Sequence, residues 1–338
     1  MKIVDNYVNG AWVRAAGTAC LDVRNPATGE LLAQVPMSSA ADVDGAVTAA
    51  HHAFPAWRDT PPAVRARYLF RFRDLLDRHR EEIAAICVAE HGKTRLESLN
   101  DLGRGIENVE HACGIPALMM GQVLEDVSPG VDGQSLRQPM GVFAAITPYN
   151  FPPMVPLWFY PYAIATGNTF VLKTSEQVPL SQMRMVELLH ETGLPPGVLN
   201  LVHGGKEAVN ALCTHPDVVG VSFVGSSAVA RHVFRTCGEQ GKRVQALGGA
   251  KNFMIVTPSA VMDRSVANVA DSIYGCAGQR CLAGAVVVGV GTAFEPVRER
   301  LLAAARAIVV GDGARPGVTL GPVISAAHRD RIFAYIEK

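Results

Sequence analysis

From Gly141 onward the chain repeats one pattern: short apolar runs, Val142–Ile146, Thr169–Leu172, Val198–Val202 and Val219–Phe223, alternate with stretches of helical length. Runs of four or five apolar residues suit strands buried on both faces, and helical crossovers between such strands leave them parallel. The pattern therefore predicts an α/β fold built on a parallel sheet. In open sheets of that type, ligands bind beyond the carboxyl ends of the strands. Those positions carry Thr147-Pro148-Tyr149-Asn150, Lys173-Thr174-Ser175-Glu176, His203-Gly204-Gly205 and Gly225-Ser226-Ser227.

At 338 residues the chain exceeds what one core normally organises, so two or more lobes are expected. Hydrophobic residues make up 49% and charged residues 18%, with Lys+Arg equal to Asp+Glu at 31 each. That balance excludes a disordered chain and argues against nucleic acid or another polyanion as partner. Gln138 to Leu172 carry no charge and are long enough to raise the question of a membrane span. Pro139, Pro148, Pro152, Pro153, Pro156 and Pro161, with Asn150 and Asn168, would break a lipid-facing helix, so the stretch reads as a buried strand, a loop and a buried helix. The N-terminal MKIVDNYVNG has no basic region followed by an apolar run, and a soluble cytoplasmic protein is expected. Seven scattered cysteines form no CxxC pair, and the ten histidines include no HExxH spacing. Reduced thiols are expected, and no metal site is.

Ahead of the sheet, a strand is predicted around Tyr7 to Val13 and a turn at Asn25-Pro26, followed by two helical patterns. The second starts at Pro61-Pro62, runs through Leu69, Phe72, Leu76, Ile83 and Cys87, and stops at Gly92. After Gly248-Gly249 a second lobe begins, with a strand near Phe253–Val256, a helix from about Asp263 to Tyr274 and a strand Ala285–Val290. Gly289-Val290-Gly291 lacks the third glycine of a dinucleotide fingerprint. Gly278-Gln279-Arg280-Cys281 follows the helix; a lone cysteine there would read as a small buried hydrophobe.

The company Cys281 keeps changes that reading. TPYNFP at 147–152, LKTSE at 172–176, FVGSS at 223–227, LGGAKN at 247–252 and GQRC at 278–281 occur in the order and at roughly the separations seen in aldehyde dehydrogenases. The chain resembles that superfamily from VNGAWV near its start to LGPVIS at 320–325. QPMGVFAAITPYNFP, HPDVVGVSFVGS, GKRVQALGGAKN and GCAGQRC are especially similar to its CoA-acylating methylmalonate-semialdehyde dehydrogenase branch. The resemblance implies an NAD-binding lobe over 1–119 and 138–249, an oligomerisation element over 120–137, and a catalytic lobe over 250–338.

It also implies roles. Cys281 would be the nucleophile, and Asn150, otherwise a turn residue before Phe151-Pro152, would donate its amide to the oxyanion beside the Cys281 backbone N–H. Lys173 and Glu176, otherwise solvated charges after a strand, would hydrogen-bond the adenosine ribose of NAD. Thr147 and Tyr149 would line the cofactor, and Gly225 and Ser226 would approach its pyrophosphate at a helix start. Gln177 and Gly248 complete this set. Three positions depart from the family pattern: Thr174 replaces a usual proline, Gln177 an arginine common in this branch, and Ala230 a second glycine. Arg104 and Arg280 match arginines that would clamp a substrate carboxylate; the alternative for Arg104 is a helix-surface ion pair with Asp101 or Glu107.

Ala246 stands where hydrolytic members carry the glutamate that activates water, and alanine is no general base. This agrees with the CoA-acylating branch, and the resemblance to that branch implies NAD-dependent oxidation of malonate or methylmalonate semialdehyde, with coenzyme A as co-substrate, to acetyl- or propionyl-CoA and CO2. The rivals are a hydrolytic or other semialdehyde dehydrogenase and a catalytically silent nucleotide-binding remnant. The sequence stops at Ile336-Glu337-Lys338 inside an amphipathic helix pattern. A C-terminally truncated chain is expected, poorly active as such, with a homotetramer at full length.

Overall fold

The computed structural model describes residues 2–17 and 19–337; Met1, Thr18 and Lys338, which fall inside the expected domain ranges, lie outside the described residues. The strand predicted over 7–13 is two strands, β1 (Asn6–Val8) and β2 (Ala11–Val13), paired antiparallel. Asn9 and Gly10 between them both take positive φ (51° and 82°), the two-residue hairpin turn that an Asn-Gly pair favours. A second hairpin joins β3 (Cys20–Arg24) to β4 (Leu31–Pro36). Its turn is held by the Asn25 side chain, which accepts the N–H groups of Ala27 (2.8 Å) and Thr28 (3.3 Å).

Ser39 and Asp42 cap helix α1 (Ala40–Asp59) reciprocally. The single run predicted from Pro62 to Gly92 is α2 (Pro62–Arg78) and α3 (Arg80–His91), because His79 leaves helical geometry (φ −98°, ψ 15°). Gly92, at φ +89°, ends α3 in the left-handed conformation. Thr94 and Glu97 then form the capping box of α4 (Arg95–Cys113), which leads to the short α5 (Ile115–Leu118). An exposed hairpin follows, β5 (Val123–Ser128) and β6 (Val131–Gln134).

The predicted apolar runs form β7 (Val142–Ile146), β8 (Thr169–Lys173), β9 (Leu199–Val202) and β10 (Val218–Val224). Between them lie α6 (Tyr160–Ala165), α7 (Leu180–Glu191) and α8 (Lys206–Thr214), and after them α9 (Ser227–Glu239) and β11 (Arg243–Leu247). The sheet order is β11-β10-β7-β8-β9-β1-β2, parallel from β11 to β9 and antiparallel beyond. Every residue of β8 is buried, and each face carries its own core. Leu69, Phe72, Tyr160 and Leu172 belong to one; Val47, Val171, Leu212 and Val233 belong to the other. The bend at His79 lays α2 on α4 and α6 and α3 on α4 and α7. Strand order reverses between β7 and β10, and such a reversal opens a crevice at the carboxyl edge of the sheet. Among the described residues no helix is long and apolar enough to cross a membrane.

The second lobe pairs β12 (Asn252–Val256) with β13 (Gly284–Gly289) in parallel, with α10 (Met262–Tyr274) and α11 (Phe294–Arg306) packed on one face. Val256, Val266, Val269 and Val297 form its small core, and Phe253 and Ile255 are exposed. The chain ends in α12 (Ala326–Ile336), with no buried residue. This lobe meets the first by backbone contact: a Cβ on Gly321 would lie 1.8 Å from the Gly92 carbonyl oxygen. Gly321→Ala should therefore separate the two segments and cost about 1–3 kcal/mol. Gly103→Ala, within α4 and facing open space, should be neutral or stabilising by up to about 1 kcal/mol. Thermal unfolding of the two variants checks this, and equal midpoints would count against the close approach.

Candidate active site

The carboxyl ends of β7, β8 and β10 deliver most of the predicted residues to one edge of the sheet. Thr147 is buried; its N–H donates to the Lys173 carbonyl (3.1 Å), and its hydroxyl lies 3.3 Å from that carbonyl and from Gln182 Oε1. Tyr149 stacks on His91 with ring centroids 6.1 Å apart, its hydroxyl 3.4 Å from His328 Nε2. Lys173, nearly all buried, reaches the half-buried Glu176 carboxylate at 2.9 Å. Their alternative as independent solvated charges does not describe this pair. Thr174, the replacement for proline, is also buried and lies 2.9 Å from His203 Nδ1. The Gln177 N–H donates to Ser175 Oγ at 3.4 Å.

After β10, Gly225 and Ser226 lead into α9, whose first N–H groups have no side-chain cap. Such a helix start attracts anions. Beside it lies a cleft of about 350 Å³ lined by Ser227, Ala230, Arg231, Phe234, Ala246 and Gly248. An uncapped helix start opening onto a cleft, with an ion pair at the end of β8, two strands from β10, fits a dinucleotide phosphate and ribose.

Cys281 follows a strained turn. Cys276, Ala277 and Gly278 are all left-handed, with φ of 50°, 54° and 72°, a conformation that costs non-glycine residues about 1–3 kcal/mol each. The surroundings hold it there. Glu97 accepts the Cys276 N–H at 2.6 Å, and Gln279 Nε2 donates to the Cys276 carbonyl at 3.1 Å. Gln279 Oε1 accepts the Ile324 N–H at 3.0 Å. Beyond the turn, Asn252 Nδ2 donates to the carbonyls of Cys281 (3.0 Å) and Ala283 (2.9 Å). Two thiols belong to this segment, and burial separates them. Cys276 is 3% exposed and burial pushes its thiol up, whereas Cys281 is only half-buried.

Asn150 joins the two loops. Its Nδ2 donates to the Gln279 carbonyl at 2.8 Å, which orients the amide and leaves its second N–H for another acceptor. The two arginines are engaged elsewhere. The Arg280 guanidinium lies 3.5 Å from Glu97 and 3.7 Å from Asp271, and its Nε 3.5 Å from Cys276 Sγ. Arg104 is exposed and paired with Glu107 at 2.9 Å, the surface ion pair weighed as its alternative; Asp101, the other partner considered, is buried.

Sequence reasoning passed over Lys93, Glu97, Asp101, Asn252 and Gln279. Lys93 and Asp101 have fully buried side chains 2.7 Å apart. Lys93 Nζ also donates to the Asn150 carbonyl at 2.9 Å and sits 4.6 Å from the Phe151 ring centroid. Burial opposes both charges; the Asp101 contact outweighs it for Lys93, which stays protonated, while burial lifts Asp101 above its usual range. A charged pair eight residues apart carries no sequence signal of burial, although Asn252 and Gln279 lay within motifs already singled out.

The family model for the aldehyde dehydrogenase family matches residues 12–338. Malonate-semialdehyde dehydrogenase 1 of Geobacillus kaustophilus (strain HTA426) is 50% identical over 336 residues, 99% of this chain and 69% of that protein. The methylmalonate-semialdehyde dehydrogenase (DddC) of Oceanimonas doudoroffii superposes with a TM-score of 0.97 at 46% identity, covering 100% of this chain and 69% of the other. The NAD+ complex of an aldehyde dehydrogenase from Bacillus cereus superposes at 0.96 with 32% identity, covering 99% and 69%. With its ordered motifs at one sheet edge and a family match over nearly its whole length, the chain belongs to the aldehyde dehydrogenase family.

Proposed function

We propose that this chain carries the site of an NAD-dependent, CoA-acylating dehydrogenase for malonate or methylmalonate semialdehyde. The observation that carries the reading is the bond from Asn150 Nδ2 to the Gln279 carbonyl, which ties an amide donor to the loop bearing Cys281 two residues on. The Cys281 thiolate adds to the aldehyde carbonyl. Negative charge then develops on oxygen, where the second Asn150 N–H and the Cys281 N–H stabilise it. NAD, when bound, supplies the hydride acceptor. Thr147, Tyr149, Lys173, Glu176, Gln177, Gly225, Ser226 and Gly248 would hold it across the crevice between β7 and β10, and the Bacillus cereus neighbour in its NAD+ complex supports this assignment.

Loss of hydride leaves an acyl thioester on Cys281. Ala246 has no group to activate water, so the thioester persists until the CoA thiol, a better nucleophile, displaces the cysteine. For malonate semialdehyde the balance is semialdehyde, CoA and NAD to acetyl-CoA, CO2 and NADH. The names of the Geobacillus and Oceanimonas relatives support this substrate class. Arg280 and Arg104 would serve as carboxylate clamps only by leaving Glu97 and Glu107. The domain division at Gly249, a cytoplasmic location and a homotetramer built through the exposed 120–137 hairpin belong to the same reading.

Cys281→Ala should abolish NADH formation, while Asn150→Ala should slow it by about two to three orders of magnitude, the usual loss for one oxyanion donor. Steady-state assays with malonate semialdehyde test both, and turnover retained in Cys281→Ala would end the assignment. Without CoA the protein should yield at most one rapid NADH per active site; stopped-flow absorbance that runs on at the CoA-supported rate would point to a hydrolytic enzyme. Arg280→Lys should raise KM for carboxylate-bearing semialdehydes more than for neutral aldehydes. Equal changes would make Arg280 a structural partner of Glu97.

A further inference from the structure

We infer that the buried pair Lys93 and Asp101 is a positioning device for Asn150, a role that rests on the reading of Asn150 given above. The two side chains grip the loop after β7 at both ends. Lys93 Nζ donates to the Asn150 carbonyl at 2.9 Å, and Asp101 Oδ1 accepts the Met154 N–H at 3.0 Å. Between these points the chain passes Phe151, whose ring lies against the ammonium, and two prolines that have no N–H of their own to anchor it.

The loop therefore has few backbone bonds to fix it. Within Asn150–Met154, the Phe151 carbonyl accepts the N–H of Val155, a buried core residue that follows the loop. Besides the packing of its apolar residues on the core, its polar attachment to a rigid element comes through α4 and the residue before its cap. A second carboxylate on the same helix, Glu97, one turn before Asp101, holds the turn ahead of Cys281 through the Cys276 N–H. One helix start thus sets the separation of the amide donor from the nucleophile, through side chains that bond the backbone of the two loops.

A hydrophobic replacement of the same shape separates positioning from mere stability. Lys93→Met alone strands the Asp101 carboxylate in the core and should lower the unfolding midpoint by several degrees. The double variant Lys93→Met/Asp101→Leu removes both charges and should recover much of that loss, short of the parent by what the unpaired Asn150 carbonyl and Met154 N–H cost. Its kcat should nonetheless remain about 10²-fold down, with KM for the aldehyde within about threefold, as expected when only orientation is lost. Amide hydrogen exchange, which requires neither substrate nor NAD, should accelerate at least about tenfold at Val155, whose N–H donates to the Phe151 carbonyl and loses no partner in the double variant, while β7 keeps its protection. A double variant that regains kcat, or in which Val155 exchanges as slowly as in the parent, overturns the inference. A parent chain that makes no NADH from any semialdehyde would instead fell the functional reading, and the exchange measurement would still decide the role of the pair.

Discussion

A parallel sheet covered on both faces leaves no room for chemistry within its strands. All five residues of β8 are buried, and their backbone groups are taken up by β7 and β9. Polar side chains in such a layer must find partners or be excluded. Reactive groups are therefore displaced to the carboxyl edge, where Lys173 ends β8 and the loops beyond the strands carry Thr147, Asn150, Glu176 and Ser226. Loops released in this way need a second source of rigidity, and the helices over the sheet provide it.

The four residues Glu90-His91-Gly92-Lys93, the end of α3 and the two residues that follow it, concentrate that function, and all are buried. Glu90 receives the N–H groups of Leu180 (2.7 Å) and Ser181 (3.0 Å) as well as the Ser181 hydroxyl, capping α7 from a neighbouring helix. Burial pushes its carboxyl up to about 7, against the pull of those donors. His91 lies flat on Tyr149, Gly92 accepts the close approach of Gly321, and Lys93 holds Asn150. Together these contacts reach three distant segments: the start of α7, the loop after β7 and the segment around Gly321. A tight turn between two helices thereby joins the sheet edge, the cover helices and the second lobe.

Much of this architecture could be read in advance. The four apolar runs became β7 to β10 within about a residue, since buried parallel strands must be continuously apolar whatever surrounds them. The second-lobe strands and helix also fell within a residue of their predicted limits. Two local readings changed for local reasons. Asn9-Gly10 makes a hairpin of what looked like one strand, and the Asn-Gly pair itself was the signal. The apolar spacing of 62–91 continued across His79, so periodicity alone joined two helices that the backbone divides.

The sequence by itself determined the fold class, the order of the motifs, the place of Cys281 just after a helix, and the absence of a base at Ala246. These depend on residue type and on periods set by backbone geometry, which act over a few residues. Only the tertiary structure decided who holds whom: Asn150 with Gln279, 129 residues away; Glu97 with Cys276, 179 away; and Arg280 with Glu97 rather than open space. Hydrogen bonds and ion pairs act within about 3–4 Å, and no local period encodes which remote segment comes that close. The burial of Lys93 and Asp101 is the clearest case, because a lysine and an aspartate on a polar stretch of sequence are ordinary surface residues until the loop of Asn150 and the second lobe close over them.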